Sequence, residues 1–221
     1  MLINADFSQL AIVKPQDYTW IKSPGGEVER VMFDRIGGEI ARATSLVRYA
    51  PQTTFPEHQH PNGEEILVLS GVFTENTHQH YSAGWYLRNP HGSFHTPSSG
   101  QDGALIFVKL MQLPMSETEP LRINTNDPTH WKTIKNRLIC PLVTSIYEHT
   151  YLERLHIKQY FEATSDKGFE IFIINGQLCR EHMTYEAGTW IRLPPKIHLK
   201  FYAGFTGATL YIKKEHLEGS L

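Results

Sequence analysis

Apolar and polar positions alternate along this chain in short bursts rather than long periodic stretches. Ala41–Tyr49 (ARATSLVRY), 65–69 (EILVL), 85–87 (WYL) and 105–110 (LIFVKL) are rich in β-branched and aromatic residues, and each is bounded by Gly, Pro, Asn or Ser. Such segments predict strands. Helical spacing is nearly absent; only 116–121 and 213–217 read as a turn or two of helix. Many short strands between Gly/Pro turns predict an all-β barrel or sandwich.

The pattern also repeats. Gly63-Glu64-Glu65-Ile66-Leu67-Val68-Leu69-Ser70-Gly71 is echoed by Gly168-Phe169-Glu170-Ile171-Phe172-Ile173-Ile174-Asn175-Gly176. Ala83-Gly84-Trp85-Tyr86-Leu87-Arg88-Asn89-Pro90 returns as Ala187-Gly188-Thr189-Trp190-Ile191-Arg192-Leu193-Pro194, and Thr19-Trp20 loosely as His130-Trp131. Matches in the same order at nearly the same offset predict a duplicated unit. The expected division is 1–113 and 114–221, with the polar, Pro-bearing stretch 113–126 as the join.

Composition narrows the class. At 221 residues, 40 % hydrophobic and 20 % charged, the chain reads as a globular protein large enough for one generous domain or two small ones. A formal net charge of -2 gives no electrostatic case for nucleic acid or an anionic membrane surface. The start Met1-Leu2-Ile3-Asn4-Ala5-Asp6 has no basic n-region before an apolar run, so no export signal is expected. Cys140 and Cys179 form no Cys-x-x-Cys pair, which fits a reducing cytoplasm.

Candidate chemistry is concentrated in two segments, His58-Gln59-His60-Pro61-Asn62-Gly63-Glu64 and Gly84 to His95. Histidines two apart on a strand share a face. Glu64 on the next strand and His95 after the Pro90-His91-Gly92 turn are placed to complete a set of three imidazoles and one carboxylate. Glu65, by alternation, points away. Nitrogen and oxygen donors in that number suit one divalent transition metal: zinc in a closed tetrahedron, or iron, manganese or nickel with positions left for a ligand. Binding requires neutral imidazoles, so affinity is expected to fall below about pH 6.5. Arg48, Tyr86, Phe94 and Phe107 are candidates to line an adjoining pocket. Arg88 also stands out, because a charged side chain on a strand must find solvent, an acid or an anion. His91 and the His78-Gln79-His80 segment beyond Thr74-Glu75-Asn76-Thr77 read as exposed polar loop. The second half has Ala163, Ser165 and Phe169 in place of His58, His60 and Glu64, with His198 near the place of His95, so no metal is expected there. No separate nucleophile or base motif stands out, and catalytic residues are left unassigned.

His58-x-His60-x3-Glu64-x6-Gly71 followed by Gly84-x5-Pro90-x-Gly92-x2-His95 resembles the two cupin motifs. The stretches GGEIARATSLVRYAP, FPEHQHPNGEEILVLSGVF and GWYLRNPHGSFHTPSS resemble, more narrowly, the cupin domain of ChrR-type anti-sigma factors. That resemblance implies a bicupin with two tandem jelly-roll (double-stranded β-helix) barrels, and zinc held by His58, His60, Glu64 and His95. It implies a sensory or regulatory role answering an oxidant or small molecule, with a protein partner of the sigma-factor kind. The helical zinc domain that grips sigma in such proteins has no counterpart here, since no His precedes His58 and no Cys precedes Cys140. The alternative is a cupin metalloenzyme, a dioxygenase or related oxidoreductase acting on a small oxygenated substrate. Strand edges make a second copy of the chain a further partner to consider.

Overall fold

In the computed structural model, residues 1–24 and 26–217 are described. Among them, strands dominate, and the helical elements are the single 3-10 turns Pro15–Asp17 and Pro128–His130. The two stretches read as helical are not: 116–121 runs through turns into the strand Leu121–Asn124, while Lys213 and Lys214 end the strand His198–Lys214. Both stretches are too short to offset the cost of nucleating a helix. No helix of the described residues is long and apolar enough to cross a membrane.

The chain divides into two compact units, though not by a single cut at 113/114. One comprises Met1–Ala5 and Thr19–Asn126, the other Asp6–Tyr18 and Asp127–Leu221. Strand pairing explains both exceptions. Leu121–Asn124 adds to Trp85–Asn89 in the first unit, whereas Ala11–Val13 adds to Trp190–Leu193 in the second.

Among the described residues each unit carries a nine-stranded, antiparallel sheet, and the first has a further two-stranded sheet. In the first unit the hydrogen-bonded path runs through Val28–Gly37, Ala41–Tyr49, Pro97–Leu110, Glu64–Glu75 and Trp85–Asn89. It ends on edges at both sides, so the sheets are open and not closed into the barrels expected. Pro56, Pro61 and Pro90 flank the short strands that could have joined it. Proline cannot donate to a ladder, and His58–Gln59 pairs only with Phe94–His95.

The long central strands bend where they change neighbours. Glu64–Glu75 pairs with 104–110 along its first half and with 97–99 and Gln79–Ser82 along its second. At the bend Gly71 adopts φ +71°, and a Cβ there would lie 2.1 Å from the carbonyl oxygen of Gly103. The second unit repeats the device: Gly176 has φ +75° and the same 2.1 Å approach to the Gly207 oxygen. Gly71→Ala is therefore expected to cost about 1–3 kcal/mol through backbone strain and crowding. A denaturant midpoint equal to the parent's would contradict that placement.

Inside the first unit, Val28, Ile66, Val68, Leu87, Ile106 and Val108 form the core. The opposite face of the same sheet is also buried and carries Glu65, Leu67, Phe107 and Lys109. Both units repeat a further contact at the paired Trp segments: Arg48 lies 4.1 Å over the Trp20 ring and Arg154 4.0 Å over Trp131.

Candidate metal centre

The site is assembled from two short strands and the start of a long one. Antiparallel pairing sets His95 directly opposite His58. The His60 N–H donates to the Ser93 carbonyl at 2.8 Å and the Gly92 N–H to the His60 carbonyl at 2.9 Å, which continues the register through His60 up to Pro61. Gly92 has φ +77°, the conformation this turn requires. Glu64 opens the strand Glu64–Glu75, in register with Asn89 on one side and Leu110 on the other.

These elements bring the four predicted side chains together. The rings of His58, His60 and His95 stand 4.7–4.9 Å apart between centroids. One nitrogen from each lies within 4.8 Å of the others. Glu64 Oε2 is 3.2 Å from His60 Nε2 and 3.7 Å from His95 Nε2. His60, Glu64 and His95 are buried and His58 half-buried.

The surroundings fix how the rings present their nitrogens. His58 Nδ1 is 2.9 Å from the Pro56 carbonyl, which makes it the protonated nitrogen and leaves Nε2 with its lone pair. His95 Nδ1 is 2.8 Å from Glu75 Oε1. Glu75 in turn accepts from Asn89 Nδ2 at 2.7 Å and from Arg122 at 2.7 Å. Glu64 and Glu75 with His95 also meet as a group able to hold an ion. Both Glu75 oxygens are already engaged, however, so Glu75 acts as the carboxylate that orients His95.

The charges agree. Burial tends to lower the pKa of His95, but Glu64 and the Glu75 hydrogen bond outweigh it, and the net direction is up. Burial lowers His60, despite the nearby Glu64. Burial would raise Glu75, yet the His95 hydrogen bond, Arg122 and Asn89 hold it below the usual carboxylate range. His60 Nε2 and His95 Nε2 face each other at 3.0 Å, a contact that is favourable only with a positive particle between two lone pairs. In the protein alone that particle is a proton shared between the two ring nitrogens, with the donor set by the tautomer. A divalent cation fits the same place, because three imidazoles and a carboxylate converge there with the outer nitrogens of His58 and His95 already hydrogen-bonded.

Glu75, Asn89 and Arg122 escaped the sequence reading. Glu75 adjoins the segment that reads as exposed loop, but Asn76 and Thr77, at φ 49° and 63°, form the turn while Glu75 stays buried. Strict alternation from Glu64 puts Glu75 on the outer face. The irregularity between Leu105 and Ile106 opposite Ser70 and Val68 shifts the phase, so Phe73 and Glu75 point inward. Glu75→Gln is expected to weaken metal affinity about 10–100-fold while leaving the ion count at saturation unchanged. A competitive chelator titration measures it, and unchanged affinity would remove Glu75 from this role.

A cavity of about 310 Å³ adjoins the histidines, with His58, His60 and Glu64 in its wall beside Tyr49, Phe55 and Val47. Burial, with the Glu64 charge added, raises the Tyr49 pKa and keeps its phenol protonated. None of the four predicted pocket residues lines this cavity. Tyr86 and Phe107 are register partners of Leu67 and share its face, one residue out of phase with Glu64 and Ile66. Phe107 packs instead on Phe33. Arg48 is paired with Glu29 beneath Trp20, and Phe94 is exposed. His91 is exposed, as is the tip bearing His78. In the second unit Ala163 and Phe169 are buried in an apolar cluster with Phe161 and Phe201. Ser165 is buried, and His198 is a partly exposed partner of Glu162 at 2.8 Å.

The family comparison fits this geometry: the ChrR cupin-like domain matches residues 8–114. Residues 8–114 are a ChrR cupin-like domain. Solved cupin-fold structures resemble the whole chain. A candidate dioxygenase from Nostoc punctiforme aligns with a TM-score of 0.73 at 12 % identity, over 95 % of this chain and 84 % of that one. The pirin YhhW from Escherichia coli, in complex with nickel(II), gives 0.66 at 10 % identity over 93 % and 98 %. Oxalate decarboxylase from Bacillus subtilis, with Mn(II) centres, gives 0.62 at 10 % over 94 % and 78 %. At these identities the likeness is one of fold. No curated protein matches the chain by sequence. Within the ChrR cupin-like domain, the cupin motif residues are the four side chains that converge.

Proposed function

We propose that the ChrR cupin-like domain holds one divalent transition-metal ion through His58, His60, Glu64 and His95 and acts on a small oxygenated molecule, as an oxidoreductase of the dioxygenase kind. One observation carries this reading: three of the four donors are wall residues of a 310 Å³ cavity. A purely structural ion needs no such space, whereas ligand sites of about 300–1000 Å³ are usual for small molecules. The nickel and manganese of the pirin and the oxalate decarboxylase support a metal of that range. Once bound, iron, manganese or nickel supplies Lewis acidity and open coordination positions. The chain's own part is to orient His58 and His95 through the Pro56 carbonyl and Glu75, and to wall the space with Tyr49, Phe55 and Val47.

Protein purified without added metal, analysed for its elements and assayed for oxygen uptake with a diketone, a phenolic ketone and an oxo acid, tests the proposal. Iron, manganese or nickel near one per chain, with uptake abolished in His60→Ala, is the expected result. Zinc at one per chain with no uptake would contradict it.

The family match favours a second reading, in which zinc fills the same four ligands and the domain is a regulatory module answering an oxidant. That reading expects zinc on purification and capture of a sigma-factor partner in a pull-down. Loss of capture in His60→Ala would support it.

A further inference from the structure

We propose that the cavity beside the histidines is a carboxylate site, in which Arg30 and Arg35 hold the acid group of a small keto or hydroxy acid while its oxygenated end faces His58, His60 and Glu64. The proposal deepens the metalloenzyme reading and rests on it for the second half of that sentence only.

The strand Val28–Gly37 carries the two arginines five residues apart. Regular alternation would send them to opposite faces. The pairing with Ala41–Tyr49 slips between Met32 and Asp34, so that Arg30 stands opposite Val47 and Arg35 opposite Ala43. Val47 and Ala43 share a face, and Arg30 and Arg35 both reach the one cavity. A bulge spent on turning a second arginine inward is the kind of irregularity that accompanies a site.

The two cations are poorly compensated. Arg30 Nη2 is 3.8 Å from Glu39 Oε2, and Glu39 is 76 % exposed, so the pair is loose and screened. Arg30 Nε is buried without a hydrogen-bond partner. Arg35 donates to the carbonyls of Gly38 and Glu39, which carry no net charge. Burial, then the charge of Arg30, depresses the Arg35 pKa, and Glu39 only partly opposes them. Glu64 is the other acid in the wall, and it is committed to the histidines. An anion between the two guanidiniums relieves this repulsion, and the guanidinium fork matches a carboxylate in geometry. Val28, Ile106, Val108 and Leu110 give the wall an apolar stretch, which suits a short carbon chain between the acid and a metal-facing oxygen.

Calorimetric titration of the metal-loaded full chain with 4-oxopentanoate, 5-oxohexanoate, 3-hydroxybutanoate, their methyl esters and inorganic phosphate tests the site. At least one acid is expected to bind tenfold or more tightly than its ester and than phosphate. Arg30→Gln and Arg35→Gln are each expected to raise its Kd at least tenfold with metal content unchanged. Equal binding of acid and ester, tighter binding of phosphate, no binding of any acid, or unchanged Kd in Arg30→Gln would overturn the proposal. Should Arg35→Gln fail to fold, the acid–ester comparison on the unaltered chain and Arg30→Gln still decide it. Should the chain take up no metal, the metalloenzyme reading fails by itself. The arginine pair is then judged by the same acid–ester ratio on the metal-free protein.

Discussion

Replacing His60 by alanine is expected to take the bound metal from about one ion per chain to nearly none. His60 is 4 % exposed and its Nε2 contacts both Glu64 and His95, so its loss removes one of four donors and leaves Glu64 and His95 facing a void. An ion that binds only the folded state stabilises it by mass action, about 4 kcal/mol at a thousandfold excess over Kd. The metal-dependent rise in melting temperature should therefore vanish in His60→Ala and in Glu64→Gln. Elemental analysis beside thermal melts with and without added metal reads both effects. Full occupancy in either variant would show that the ligand set is wrong.

Glu65→Gln is expected to do the reverse, keeping the metal and losing stability. Glu65 is 2 % exposed, lies 3.6 Å from Arg88 Nη1, and has Lys109 as its partner across the sheet. Arg88 also holds Glu117 at 2.8 Å, and Lys109 Nζ donates to Thr44 at 2.8 Å. Removing the central negative charge leaves buried cations undercompensated, which costs about 3–5 kcal/mol. The second unit repeats the arrangement, with Glu170 in register with Arg192 and with Lys213. The acid is thus retained where the metal donors are not, as a structural role requires. Denaturant unfolding with parallel metal analysis separates the outcomes: lost metal at unchanged stability would mean the two glutamates have exchanged roles.

What the sequence made legible was local. Period two separated Glu64 from Glu65, and motif spacing brought His58, His60 and His95 to one place. The duplication was visible in paired glycines that the bend geometry demands, Gly71 with Gly176. Sequence alternation failed wherever a bulge changed the phase. Arg35 and Glu75 both point inward against the parity of their strands, and no single-sequence signal marks the slip between Met32 and Asp34. Tyr86 and Phe107 lie off the cavity for a different reason: pairing with Leu67 sets both on the face opposite Glu64 and Ile66. The unit boundaries depended on edge pairing by Ala11–Val13 and Leu121–Asn124, long-range partnerships that composition does not encode.

Anomalous diffraction from crystals of the metal-loaded chain addresses the ligand set at the level of atoms. A single strong peak is expected among His58, His60, Glu64 and His95, within about 2.0–2.2 Å of each donor atom. A fully loaded protein whose peak lies elsewhere, or whose imidazoles stand apart around empty density, would contradict the assignment.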